Sequence, residues 1–194
     1  MGGVTAVLCS GNEHKARELE RLLPGWAIAL LDVGALPPET GETYYDNAVA
    51  KARFGRDVQP GGAWMLGEDS GIEVDGLGGG PGVRSARSAA GDEVGWMLRT
   101  LGDDARRGAR YVCELVALSP AGEEFRGTGT VSGRIAHEPS GREGFGFDPV
   151  FIPEGEERTV AELGDDWKAQ HSHRANAARA LLAAIRAGAA GARR

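Results

Sequence analysis

Two cysteines, Cys9 and Cys113, are all that 194 residues carry, and no CxxC pair occurs. That excludes a disulfide framework and a cysteine-built zinc site. Both thiols lie in mostly apolar runs and read as buried and reduced. No apolar stretch approaches the ~20 residues of a membrane span. No signal-peptide pattern opens the chain, and MGGVTA misses the myristoylation pattern, with Ala6 where Ser or Thr is required. The expected compartment is the cytoplasm. Basic residues are in the minority, 22 against 28 acidic ones, for a net charge of −6. Such a balance argues against broad binding of nucleic acid or anionic membrane. It still permits an anionic substrate, because a metal ion and a few lysines can reverse the field locally. GxxxxGK[ST], GxGxxG and GxSxG are all missing, which sets aside a P-loop NTPase, a dinucleotide cofactor and a nucleophile elbow.

What remains is an ordinary globular composition, long enough for one domain with a substantial core. Thr5–Cys9 is a short apolar run that reads as a buried strand. Glu13–Leu23 carries Ala16, Leu19, Leu22 and Leu23 at helical spacing and ends before Pro24-Gly25. Trp26–Leu30 reads as a strand, and Thr43 can cap a helix from Tyr44 to about Val58. Ala63–Leu66 and Ile72–Val74 read as two short strands flanking an acidic turn. A helix follows at Glu93–Leu101, then strands at Arg110–Leu118, Phe125–Ala136 and Val150–Ile152. A helical region starts at Val160–Leu163, and a last helix is capped by Ser172 and runs through Ile185. Residues 187–194 are expected to fray beyond a single catalytic domain spanning 1–186. Strands and helices alternate early and a long hairpin intervenes, which fits a mixed α/β sheet.

Five segments carry candidate chemistry, and each also has a plainer reading. Ser10–Lys15 (SGNEHK) joins strand to helix, where unpaired backbone N–H groups receive phosphate; Ser10 or Asn12 could equally be simple caps. Glu39–Arg53 places a loop carboxylate before a helix that carries Lys51; alone, both would be ordinary surface charges. Gly67–Gly82 (GEDSGIEVDGLGGGPG) crowds Glu68, Asp69, Glu73 and Asp75 ahead of a glycine run. Adjacent Glu68 and Asp69 at a strand end suit a hard cation such as Mg²⁺, and one carboxylate can take a proton from water. Gly78–Gly82 reads as a tight loop rather than a phosphate cradle. Gly141–Pro149 offers Phe145 for stacking on a base and Asp148 for a sugar or base edge, although one of Phe145 and Phe147 could plug the core. Lys168–Arg174 (KAQHSHR) clusters four potential cations. His171 and His173 diverge on a helix and make a poor metal pair.

Taken together and in order, these segments resemble the inosine triphosphate pyrophosphatase family. The resemblance rests on SGNxxKxxEL at Ser10–Leu19, ETG…NAxxKA at Glu39–Ala52, DSGxxVDxLGGxPGVxSAR at Asp69–Arg87, GFGFDPxF at Gly144–Phe151 and SHR at Ser172–Arg174. It implies an elongated mixed α/β sheet with flanking helices, two lobes around a central substrate cleft, and a homodimer. The implied activity is Mg²⁺-dependent hydrolysis of ITP, dITP and XTP to the monophosphate and pyrophosphate. Asp69 is then the general base and a metal-linked acid, with Glu39 and Glu68 as further metal carboxylates. Ser10, Gly11, Asn12, Lys15, Lys51 and Lys168 fall to the triphosphate, and Ser70 to a further substrate contact. Phe145, Gly146, Phe147, Asp148, His173 and Arg174 fall to the base. Two departures stand out: Glu68 occupies a position that is often Asp in the family, and Phe147 one that is often Tyr. A non-catalytic nucleotide sensor, or a pyrophosphatase for other modified nucleotides, are the alternatives.

Overall fold

The computed structural model describes residues 3–89 and 91–191. In chain order the elements are β1 (Val4–Leu8), α1 (Glu13–Leu22), β2 (Trp26–Leu30), α2 (Tyr44–Val58), β3 (Trp64–Val74), α3 (Ser85–Ser88), α4 (Glu93–Leu101), β4 (Gly108–Leu118), β5 (Glu124–Ile135), β6 (Phe151–Pro153), α5 (Val160–His171) and α6 (His173–Gly191). The strands form one mixed sheet in the order β2-β1-β3-β4-β5-β6. β1 runs parallel to β2 and β3, and β6 antiparallel to β5. Among the described residues no helix is long and apolar enough to cross a membrane.

The chain divides into two compact units, and β3, β4 and β5 each give residues to both. The first comprises 1–69, 113–129 and 174–194. Its strands obey the two-residue period of a pleated sheet with both faces covered. Ala6, Leu8, Leu66, Cys113, Leu115 and Ala117 point to one side, where Leu19 and Leu23 at the end of α1 and Ala177, Ala178 and Leu181 of α6 meet them. Val7, Met65, Val116 and Leu118 point to the other, against Ala48, Val49 and Ala52 of α2. Contact on that second side is close: a Cβ on Gly67 would stand 1.9 Å from the Ala48 carbonyl oxygen. Thr43 caps α2 as expected, and Asp46 completes a capping box with it.

The second unit comprises 70–112 and 130–173, with a core of Ile72, Val74, Met97, Leu101, Tyr111, Ile135, Phe147, Val150, Phe151 and Val160 among others. The glycine run after β3 makes the tight loop expected of it, with Gly78 at φ 60° and Gly79 at φ 89° and the Gly79 N–H returned to the Val74 carbonyl.

Two expectations need correction. The acidic turn between two short strands does not exist, because β3 runs unbroken from Trp64 to Val74 straight through Glu68 and Asp69. Repulsion does not break the strand, since each carboxylate meets its own cation, as described below. The last helix does not stop near Ile185 but continues to Gly191. Alanine there favours helix, and Gly188, without a Cβ, leaves room for Phe125, whose ring a Cβ would meet at 2.7 Å. Residues 192–194 of the expected tail lie outside the described residues. The four-residue helix α3 was not anticipated either.

Candidate functional site

β3 carries the site's first half. Because successive side chains leave opposite faces of a strand, Glu68 and Asp69 part company although they are neighbours in sequence. Asp69 follows Met65 and Gly67 to the α2 side. There its Oδ1 lies 3.1 Å from Lys51 Nζ, and its Oδ2 accepts a hydrogen bond of 3.0 Å from Asn47 Nδ2. Lys51 Nζ also pairs with the Glu39 carboxylate and donates to the Glu68 carbonyl at 3.0 Å. Burial pushes the Asp69 carboxyl above its ordinary pKa, although Lys51 and the Asn47 hydrogen bond pull the other way. Burial works against the Lys51 charge, yet the carboxylates of Asp69, Glu39 and Glu68 outweigh it and its pKa is raised.

Glu68 follows Leu66 to the α1 and α6 side. Its Oε1 accepts from Arg174 Nε at 3.3 Å and Nη2 at 2.8 Å, and its Oε2 lies 2.6 Å from Lys15 Nζ. Arg174 Nη1 donates to Glu18 Oε2 at 2.5 Å. The Glu68 side chain is wholly buried, which favours protonation, but Lys15 and Arg174 overcome this and hold it well below the ordinary carboxylate range. Cys113 Sγ lies 3.4 Å from the same Oε1, and burial together with that carboxylate keeps the thiol protonated. The structure therefore does not bring Glu68 and Asp69 together around one ion, as the sequence suggests; it separates them and gives each a set of cations.

The SGN turn leads into α1. Asn12 caps α1 by accepting from His14 N at 2.9 Å and Lys15 N at 3.3 Å, and Ser10 Oγ accepts from Asn12 N at 3.1 Å. Gly11 sits between them, with room for a Cβ 3.5 Å from Leu36. Lys15, by contrast, is not a solvated charge but Glu68's partner.

The second unit holds the residues expected at the base, apart from Arg174, which belongs to the first. Asp148 is buried; its Oδ2 accepts from the Phe145 N–H at 2.9 Å and pairs with Lys168 Nζ at 2.8 Å, and Tyr111 Oη lies 3.4 Å from its Oδ1. Lys168 sits 4.6 Å from the centre of the half-buried Phe145 ring. His173 stacks on Tyr111, with ring centroids 4.5 Å apart and planes inclined by 6°. Tyr111, Asp148, Lys168 and His173 share a recess with Phe151 and Trp167. Gly146, at φ 65°, allows the turn between the two phenylalanines. Phe147 departs from expectation: it is buried in the core with its ring edge-on to Trp96, so it supports the loop from below. Lys168 stands with Asp148 and Phe145. Ser70 is half-buried in β3.

Sequence reasoning assigned no role to Glu18, Asn47 or Tyr111. Helical spacing could have found the first two. Glu18 lies three residues after Lys15 and Asn47 four before Lys51, so each shares a helix face with a lysine already singled out.

As for a metal, Glu39 and Asp69 already gather around one positive charge, that of Lys51, and both are hard oxygen donors. In the first unit the four carboxylates of Glu18, Glu39, Glu68 and Asp69 face the three cations Lys15, Lys51 and Arg174, one negative charge in excess. These donors fit Mg²⁺, which takes one or two carboxylates and completes its shell with water and substrate phosphate. No group of three or more His, Cys, Asp or Glu among the described residues could hold a metal ion.

The profile of the Ham1 family matches residues 6–184. A dITP/XTP pyrophosphatase of Bdellovibrio bacteriovorus is 41% identical over 188 residues, which cover 90% of this chain and 94% of that protein. One of Mycobacterium tuberculosis is 43% identical over 207 residues, covering 98% and 100%. Among solved structures, the Ham1 protein of Staphylococcus aureus superposes with a TM-score of 0.80 at 30% identity, covering 95% of this chain and 99% of that one. A nucleoside-triphosphatase / dITP/XTP pyrophosphatase of Mycobacterium abscessus superposes with a TM-score of 0.70 at 38% identity, covering 93% and 97%.

Proposed function

The chain belongs to the Ham1 family, and from that premise we propose that it hydrolyses deaminated purine nucleoside triphosphates, ITP, dITP and XTP, to the monophosphate and pyrophosphate. The observation that carries the chemistry is Asp69: a buried carboxylate with raised pKa, one oxygen on Lys51 and the other on Asn47. Such a group takes a proton from a water more readily than an exposed carboxylate does. The water oxygen bonds to phosphorus, the bond from phosphorus to the bridging oxygen breaks, and pyrophosphate leaves.

Mg²⁺, held by Glu39 and Asp69, supplies neutralisation of the phosphate oxygens when bound. Lys15 and Lys51 add positive charge, and the start of α1 at Ser10, Gly11 and Asn12 offers donors to phosphate. Glu68 points to the opposite face of β3 from Asp69, where it holds Lys15 and Arg174 in place as an anchor. Ser70 stays a substrate contact.

For the base, Phe145 and Gly146 provide a stacking surface, and Asp148 with Lys168 a charged pair that reads a purine edge. His173, braced by Tyr111, and Arg174, oriented by Glu18 and Glu68, donate toward the six-oxygen. Adenine presents an amino group at that position. Desolvated donors left without an acceptor cost about 1–3 kcal/mol each, roughly tenfold to hundredfold against ATP. A homodimer in the cytoplasm completes the proposal.

The test is pyrophosphate release from a panel of nucleotides with and without Mg²⁺. ITP turnover far above that of ATP, abolished by EDTA and restored by Mg²⁺, is the expected result. Comparable rates on ATP and ITP overturn the assignment of the base residues. ITP binding without pyrophosphate release makes the protein a sensor, and a preference for a modified pyrimidine changes its substrate class.

A further inference from the structure

Asn47 is buried, 2% exposed, and both ends of its amide are in use. Oδ1 accepts from the Gly41 N–H at 2.8 Å, and Nδ2 donates to Asp69 Oδ2 at 3.0 Å. The orientation of the amide is not ambiguous. Gly41 N–H can only donate, so the oxygen must face it, and the nitrogen is left for the carboxylate. Gly41 in turn lies flat on the start of α2: a Cβ there would come within 2.6 Å of Asp46 Cβ and 2.7 Å of Asn47 Oδ1. Glu39 is two residues upstream on the same loop. One side chain thus ties the loop that carries Glu39 to the carboxylate of Asp69.

Lys51 touches both acids as well, but an ammonium is a point charge on a flexible stem and fixes no direction. The amide does, since its planar donor and acceptor set the direction of the second Asp69 oxygen and hold the Gly41 N–H of the Glu39 loop against α2. We propose that Asn47 is a positioning residue that couples Glu39 to Asp69, so that the two carboxylates meet metal and substrate as one preset unit. This rests on the proposed function, and it has a consequence outside turnover. The protein alone should bind a divalent ion more weakly once the link is cut.

The experiment measures ITP hydrolysis and, without nucleotide, Mn²⁺ binding by calorimetry, on Asn47→Ala, Asn47→Asp, Gly41→Ala and the double variant Gly41→Ala/Asn47→Ala. Outer-shell partners of metal ligands are generally worth about 10–100-fold. For Asn47→Ala, kcat falls about 10–100-fold with KM held within about threefold, and Mn²⁺ affinity falls about tenfold. Asn47→Asp, which keeps the acceptor for Gly41 but has no donor for Asp69, stays impaired. Gly41→Ala breaks the same link from its other end, so the double variant is no worse than the poorer single one.

A kcat for Asn47→Ala within twofold of the parent, unchanged Mn²⁺ affinity, or losses that multiply in the double variant overturn the coupling. A purely structural role would lower the melting temperature and leave kcat per folded molecule intact. If Asn47→Ala does not fold, Asn47→Asp and Gly41→Ala decide. If the parent protein itself fails to turn over ITP, the functional reading falls, and the Mn²⁺ measurements alone settle the coupling.

Discussion

Glu68→Gln keeps the shape of a wholly buried side chain and removes its charge. Arg174, 1% exposed, then faces one acid instead of two, and Lys15 loses the carboxylate it pairs with. Removing one partner of a buried ion pair typically costs about 3–5 kcal/mol, since the remaining charge stays desolvated. Arg174 keeps Glu18, which places the expectation near the lower end, about 3 kcal/mol. For a chain of this size each kcal/mol moves the melting temperature by roughly 2–4 °C, so calorimetry should read a drop of about 6–12 °C. The pH dependence has a definite sign. A carboxyl whose folded pKa is depressed contributes stability above its unfolded pKa and loses it as pH falls through the folded value. The gap between parent and variant should accordingly be full near neutrality and close in acid below the ordinary carboxylate range. Mn²⁺ affinity should stay within about twofold, because Glu68 leaves the opposite face of β3 from Asp69. A melting temperature within 2 °C of the parent would refute the energetic reasoning; a tenfold loss of Mn²⁺ affinity would refute the separation of the two acids.

Asp69→Asn should cost about 10²–10⁴-fold in kcat while calorimetry still detects ITP binding; retention of turnover removes Asp69 as the base. Phe145→Ala should raise the KM for ITP roughly tenfold to hundredfold, the worth of one stacking platform, with kcat changed little. Equal KM values would take the ring out of recognition. Gly67→Ala forces a Cβ to within 1.9 Å of the Ala48 carbonyl oxygen and should cost more than about 3 kcal/mol. Denaturant unfolding at parental stability would show that α2 does not press on β3 there.

The helices of the first half were legible because their signals are local. Thr43 reads as a helix cap in sequence and is one in space, and Glu93–Leu101 matches its element residue for residue. β3 was misread for a reason that is equally physical. Four carboxylates and several glycines look like a turn when only neighbours in sequence are weighed, and the cations that make a strand tolerable there arrive from α1, α2 and α6. Site residues followed the same division. Asp69, Glu39 and Lys51, singled out from sequence, stand together. Phe147 could not be told from Phe145 by sequence, since both flank one glycine and only packing against Trp96 sends the former inward. Tyr111 gave no signal at all, as an aromatic in a strand is ordinarily core; here its ring also braces His173.

Strand parity has a practical corollary for anyone recombining or redesigning this enzyme. Between Trp64 and Glu68 a one-residue insertion or deletion would swap the sides to which the next two acids point, delivering Asp69 to the arginine and Glu68 to the lysine of α2. Chimeras that splice in this stretch must preserve its odd–even count, and shuffled libraries should show surviving crossovers there only without length change.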